Sequence, residues 1–406
     1  MEFSWKRNLV TLWIGVFFCG TAYTISIPFL PIFLHTELGI NSGLEAWSGI
    51  TFGITFLASA FISPYWGSLA DKYGRKPMLI RSGFSLSALY FATFFVHDPY
   101  LFLVVRILQG LLAGFVPASI ALVATNTPEK EVGYALGVMS TAGAAGSVIG
   151  PLVGGFVSHW VGNRESFLVS GFVVLVAAFI GLFGAKEKNF NRSAARSGVK
   201  EDLKLAMQNK PFIMLLGITL LVQTSVMIIE PLLTIYVLQL GGSQNSASLS
   251  SGIIFSAVGI ATVLAAPRWG KLGQKISYSR TLFIGLLGGG IGSLLQLGIH
   301  HLIGFGALRF GYGLFFAAVY PGINALIVKF TDSSFRGRAF SLNQSFTQLG
   351  TMIGPVLGGF LGGWAGIPMV FAINGLALVA VAFYFKYREP KMAVLAEAAT
   401  HPLAKS

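Results

Sequence analysis

Apolar residues fall in long runs along this chain, separated by short polar stretches. A helix needs about 20 apolar residues to cross a bilayer's hydrocarbon core. Read in windows of roughly 19 residues, the pattern gives twelve such runs, near 8–34, 47–69, 77–96, 99–124, 133–160, 165–185, 211–238, 249–270, 280–299, 302–328, 336–362 and 367–386. Long continuous runs, rather than alternating ones, predict helices. The expectation is an all-α membrane protein with twelve transmembrane helices.

The polar stretches between the runs set the topology. With both termini on one side, that side holds 25 of the 28 Lys and Arg residues, and the opposite side holds only Arg164. The remaining two, Arg106 and Arg309, lie inside spans. Such a bias places both ends in the cytoplasm. The net charge of +13 therefore records topology, and nucleic acid is not an expected partner. Composition agrees: 11% of residues are charged, against roughly 25% in soluble proteins. The start, MEFSWKRNLVTLWIG, imitates a signal peptide but runs on without a small-residue cleavage site, so it reads as the first span. The lone Cys19 leaves no internal disulfide.

The longest cytoplasmic connection divides six spans from six. It yields a first bundle at 1–187, a linker at 188–210, a second bundle at 211–390 and a tail at 391–406. The two bundles are repeats. SGITFGITFLASAFISPYWGSL (48–69) aligns with SGIIFSAVGIATVLAAPRWGKL (251–272) at an offset of 203. The same offset carries Pro28 to Pro231, Arg106 to Arg309 and Gly110 to Gly313. A shift of 204 carries GPLVGG (150–155) to GPVLGG (354–359). Spans match one to one, so the repeats are parallel, with a substrate site expected between the bundles at mid-depth.

Four features carry candidate chemistry. The loop GSLADKYGRK (67–76) holds Gly67, Asp71, Gly74, Arg75 and Lys76. Its cations suffice for topology, but Asp71 is not needed for that and suggests a gating pair with the start of span eleven, where Asp332, Ser333 and Ser334 precede Arg336 and Arg338. The second copy, GKLGQKISYS (270–279), has Gln274 in place of the aspartate and lacks the second glycine, so a latch would be one-sided. Arg106 in span four costs at least about 2.5 kcal/mol in lipid, so it must face the interior, either bonded to backbone or serving proton transfer. Its repeat mate Arg309 carries the same two readings. Glu230 is the one carboxylate deep inside a span, about 28 Å along span seven at 1.5 Å per residue. A carboxylate there is either wetted at the outer rim or exchanges protons as a carrier. Last, GVMSTAGAAGSVIGPLVGG (137–155) in span five has Gly146, Gly150 and Gly154 four residues apart, the spacing of a close helix seam.

The loop matches, at every defining position, the signature G-x-x-x-D-[RK]-x-G-R-[RK], and resembles that of the major facilitator superfamily. Arg106, Gln109 and Gly110 resemble its span-four motif, in which the arginine is tied to proton transfer. Gly137, Gly146, Gly150, Pro151, Gly154 and Gly155 resemble in full the span-five signature of its twelve-span drug:proton antiporters. The resemblance runs over the whole chain, through WKRNL, PFLP (28–31), SPYWGSLADKYGRKPM (63–78) and LNQSF (342–346). It implies the major facilitator fold of two parallel six-helix repeats, a cytoplasmic latch at Asp71, a kinked fifth helix that favours export, and multidrug efflux driven by protons. Glu230 lies outside the family motifs.

The expected function is a proton-coupled exporter of lipophilic or cationic small molecules in the inner (plasma) membrane of a bacterium, acting as a monomer. Substrate-cavity candidates are Gln109, Arg309, Tyr23, Tyr236, Tyr312 and Phe316, whose rings suit stacking on drugs and equally suit lipid contact. The alternative is transport of one metabolite, such as a sugar, siderophore or endogenous antibiotic, read by polar residues such as Gln223, Asn343 and Asn374. No phosphate-binding loop and no Cys/His cluster with metal spacing occurs, so no enzyme activity and no cofactor or metal is expected, and the proton gradient is the energy source.

Overall fold

The computed structural model describes residues 4–188, 206–207, 209–331 and 335–400. Among them there are helices and no strands. In lipid a backbone must satisfy its own hydrogen bonds, and an apolar helix does so along its whole length. In the first half these are α1 (Trp5–Ile25), α2 (Leu30–Thr36), α3 (Leu44–Tyr73), α4 (Arg75–Phe94), α5 (Pro99–Leu112), α6 (Phe115–Asn126), α7 (Val132–Trp160) and α8 (Glu165–Gly184). The second half holds α9 (Lys210–Met227), α10 (Leu233–Gln239), α11 (Gln244–Ile276), α12 (Tyr278–Leu295), α13 (Leu302–Phe316), α14 (Val319–Phe330), α15 (Arg336–Ala365) and α16 (Ile367–Thr400).

Among the described residues, ten stretches are long and apolar enough to cross a membrane. The other two expected spans, three and eleven, coincide with α4 and α15, helices of 20 and 30 residues. Both open on the basic residues that the positive-inside reading assigns to the cytoplasm, Arg75 and Lys76 in one, Arg336 and Arg338 in the other.

Four runs that read as continuous are broken. Span one stops at Ile25 and resumes at Leu30, span four breaks at Ala113–Gly114, span seven at Ile228–Leu232 and span ten at Ala317–Ala318. Prolines at 28, 31, 117, 231 and 321 lie at or just after the breaks. Each removes a backbone donor and disfavours helical backbone in the residue before it. Gly114 adopts φ +150°, a conformation closed to other residues. Spans one and seven, and four and ten, are repeat mates, so the breaks recur with the repeat.

The chain packs as two units: Met1–Ala194 with Pro231–Ser256, and Ala195–Glu230 with Ala257–Ser406. The outer segment of span seven and the start of α11 thus belong to the first unit. Thr234 Oγ1 donates to Pro28 O at 2.8 Å, and Ser256 Oγ to Val148 O at 2.7 Å. Among the described residues, the first unit buries an apolar cluster around Phe29, Phe33, Phe102 and Phe167 and another around Leu12, Leu79 and Phe115. The second buries a cluster around Phe212, Leu286, Ile327 and Phe385. Arg164 is pinned to the first unit: Nε meets Glu37 Oε2 at 3.0 Å, and Nη1 donates to Phe94 O and Val96 O.

The repeat extends to individual contacts. Trp66 Nε1 donates to Leu111 O at 2.7 Å, and Trp269 Nε1 to Leu314 O at 2.7 Å, each pair displaced by the same offset. Gly110 leaves no room for a Cβ against Thr55 and Ala58, as Gly313 leaves none against Val258 and Ala261.

Candidate functional site

The candidate residues divide between the two units. The first holds Arg106, Gln109, Tyr23 and Tyr236; the second holds Glu230, Arg309, Tyr312 and Phe316.

Arg106 lies on the buried face of α5, 6% exposed. Its Nη1 donates to Gln109 Oε1 at 3.3 Å and its Nη2 to Ser26 Oγ at 3.4 Å. Gln109 Nε2 in turn donates to Thr93 Oγ1 at 3.5 Å. The i, i+3 spacing of Arg106 and Gln109 puts both on one helix face, and the break after Ile25 supplies Ser26. The guanidinium sits 5.2 Å from the Phe102 ring centroid, and its Nε is buried without a partner. A buried cation with neutral partners and one orphaned donor is costly, which fits a residue kept for transfer chemistry and equally one that pins the broken span one. Tyr23 is half-buried on α1, and Tyr236, on α10, is 4% exposed.

Glu230 opens the short 3-10 turn Glu230–Leu232 at the break in span seven. Pro231 follows it, so the break is local chemistry. Arg309, 6% exposed on α13, is its electrostatic neighbour. The Arg309 guanidinium lies 5.4 Å from the Tyr312 ring centroid and has a buried, unpartnered Nε. Tyr312 stacks on Phe316 at 5.1 Å, and Phe316 meets Tyr320 edge-on at 6.1 Å. Tyr320 Oη donates to Gln223 Oε1 at 2.6 Å, while Gln223 Nε2 donates to Thr351 Oγ1 at 3.0 Å. This aromatic ladder ending in a polar chain is missing from the first unit, where Gln109 replaces Tyr312. Of these, Tyr320 is expected from sequence among the rings on cavity-lining spans and Gln223 as a reader of a single polar metabolite, while Thr351 escapes the sequence reading. The one signal for Thr351 in the sequence is a polar residue within an apolar run.

The glycines of span five are not equivalent. A Cβ at Gly146 would stand 2.8 Å from Thr21 N, one at Gly150 2.7 Å from Thr21 O, and one at Gly154 2.7 Å from the Ile25 carbonyl carbon. These three line the seam of α7 on α1. Gly155 faces α11 instead, where a Cβ would stand 2.6 Å from Ser248 O, and the Pro151 carbonyl crowds Gly252. Gly137 meets nothing within 4 Å. The second unit repeats the seam: Gly354 against Thr224 and Gly358 against Ile228.

The stretch 67–76, expected as a loop, is helical except at Gly74: residues 67–73 finish α3, with Asp71 in its last turn, Arg75 and Lys76 begin α4, and Gly74 adopts φ +100°. Gly67 faces open space. The Arg75 and Lys76 amides donate to Glu187 Oε1 and Oε2 at 2.8 and 3.0 Å. Arg336 opens α15, and the Arg338 guanidinium lies 5.0 Å from the Phe335 ring. Asp332, Ser333 and Ser334 lie outside the described residues, as do the side chains of Asp71 and Arg336.

A helical chain of many candidate spans, built twice over on one pattern, is the architecture of a secondary transporter. The chain belongs to the Major Facilitator Superfamily, which it matches over residues 12–251 and 215–405. It is 37% identical over 353 residues to the multidrug resistance protein MdtG of Escherichia coli (strain SMS-3-5 / SECEC), covering 86% of each chain. The MdtG of Escherichia coli (strain K12 / DH10B) is equally similar, at 37% over 86% of each chain. Two solved structures share the fold. The nucleoside transporter NupG has a TM-score of 0.75 at 14% identity, with 94% of this chain and 98% of that one covered. A D-xylose–proton symporter has a TM-score of 0.75 at 15% identity, over 93% and 96%. The chain is therefore a multi-pass membrane transporter, and its bacterial relatives point to the inner membrane.

Proposed function

We propose that this chain is a proton-coupled exporter of lipophilic or cationic small molecules, working as a single chain by alternating access and driven by the proton gradient without a cofactor. The observation that carries the proposal is the place of Glu230, a half-buried carboxylate at the break in span seven whose electrostatic neighbour in the second unit is the buried Arg309. A carboxylate in that setting changes charge only by exchanging a proton, and its charge state decides how strongly it holds Arg309. A cationic substrate drawn to Glu230 competes with the proton for the same carboxylate, which is the logic of exchange. The Tyr312–Phe316–Tyr320 ladder offers π-faces to such a cation. The multidrug resistance names of the relatives support this substrate class. In this reading the bundles are residues 1–187 and 211–390, joined by the 188–210 linker and followed by the 391–406 tail. Arg106 with Gln109 forms a second proton-handling group, Asp71 is the latch of the cytoplasmic loop, and the span-five glycines favour export.

The test uses everted vesicles carrying a pH-sensing dye. After energisation, adding cationic dyes or fluoroquinolones is expected to release protons. Glu230→Gln, expressed at the same level, is expected to release none. A response confined to one metabolite overturns the drug reading, and full coupling in Glu230→Gln overturns the carrier assignment.

A further inference from the structure

We propose that Glu187 is a positioning residue of the gating loop, holding the turn before α4 by its two backbone amides while Asn8 and Asn126 hold the chain on either side. The functional part of this inference rests on the exporter reading.

The argument starts from the turn. Gly74 closes α3 and opens α4 at φ +100°, a conformation that favours glycine. A glycine in the N-cap position has no side chain to receive the first amides of its helix, and α4 has no such bond of its own. Arg75 and Lys76 make matters worse, because cations are unfavourable at the positive end of a helix dipole. Glu187 resolves both difficulties from another part of the chain. Each carboxylate oxygen accepts one amide, Oε1 from Arg75 at 2.8 Å and Oε2 from Lys76 at 3.0 Å. The fit is close enough that a Cβ on Gly74 would stand 2.8 Å from Oε2.

Glu187 is itself anchored. Residues 185–188 follow the end of α8, with Lys186 and Lys188 exposed and Glu187 turned inward. The Lys186 amide donates to Asn8 Oδ1 at 2.9 Å. Asn126 Nδ2 donates to Lys186 O at 3.0 Å, and the Lys188 amide donates back to Asn126 Oδ1 at 3.1 Å. Asn8 and Asn126 are buried at 4% and 5% exposure. Five hydrogen bonds thus tie residues 186–188, where the first bundle runs into the linker, to the ends of α1, α4 and α6.

The second half shows what happens without this arrangement. At the 203-residue offset, Gly74 becomes Ser277 and Glu187 becomes Pro390. Ser277 keeps the positive φ, at 88°, and caps its own helix by accepting from Arg280 N at 3.3 Å. Proline at 390 has no side-chain acceptor. The half that carries the full loop signature has moved the cap to a distant carboxylate, and so coupled the loop to the linker.

Two measurements on full-length protein test the proposal. Amide hydrogen exchange is followed in peptides covering 74–80 for the wild type, Glu187→Ala, Glu187→Gln and the control Lys186→Ala. The Arg75 and Lys76 amides are expected to exchange at least about tenfold faster in Glu187→Ala, with an intermediate rise in Glu187→Gln, which keeps one acceptor, and no rise in Lys186→Ala. Exchange as slow in Glu187→Ala as in the wild type, or a rise of equal size in Lys186→Ala, overturns the clamp. In drug-dependent proton release, Glu187→Ala is expected to lower the maximal rate about fivefold at unchanged half-saturating drug, with Glu187→Gln restoring most of it. An unchanged rate, or a change in half-saturation alone, overturns the positioning role. A wild type that releases no protons with any drug would refute the exporter reading, leaving the exchange data to decide the clamp.

Discussion

Gly154→Ala and Gly137→Ala are the same chemical change in the same helix, and they should differ in sign. At Gly154 the new methyl would stand 2.7 Å from the Ile25 carbonyl carbon, with the carbonyl oxygen closer still. Reaching the 3.4 Å of an ordinary contact moves backbone against backbone by at least 0.7 Å. Neither partner is the end of a flexible side chain, so the whole α7–α1 seam must open. Overpacking of this kind costs about 1–3 kcal/mol. Replacing glycine by alanine in a helix returns about 1 kcal/mol, so the net cost reaches about 2 kcal/mol at the upper end. At Gly137 nothing lies within 4 Å, and only the gain remains. The two variants should therefore differ by the overpacking cost itself, about 1–3 kcal/mol, or a few degrees in Tm for a protein of this size. Thermal unfolding of purified protein in detergent, followed by tryptophan fluorescence, measures the difference. Equal midpoints for the two variants would refute the seam as the reason for glycine at 154.

Further outcomes follow from the same geometry. Trp66→Phe and Trp269→Phe each leave a carbonyl, Leu111 O or Leu314 O, without its indole donor, so each should cost about 1–2 kcal/mol. The two lie in different packing units, so the double variant should lose the sum of the two in chemical denaturation. Asp71→Asn should slow drug-dependent turnover several-fold while leaving equilibrium drug binding unchanged, and a loss of binding alone would count against the latch.

Much of the architecture was legible because lipid enforces it. A membrane span has to be apolar along its length, so the twelve runs stand out, and a duplicated bundle keeps its 203-residue offset. The Trp66 and Trp269 bonds follow that offset, since residues at matching positions of a repeat meet matching partners. The span breaks were half legible: the prolines were in view, but whether a proline kinks a helix or stops it depends on which carbonyls find other donors. Glu187 was not legible at all. It sits in a basic stretch 112 residues from Arg75, and nothing local marks a carboxylate as the cap of a distant helix.

The span-five stretch divides the two kinds of knowledge. Its glycine spacing alone determined a close-packed helix and, by resemblance, a family. The tertiary structure decided that Gly146, Gly150 and Gly154 face α1, that Gly155 faces α11 and that Gly137 faces open space. The physical reason is that a glycine's role lies in what its missing methyl would strike. Periodicity fixes the side of the helix on which a residue falls, while the neighbour on that side comes from packing between segments far apart in the chain.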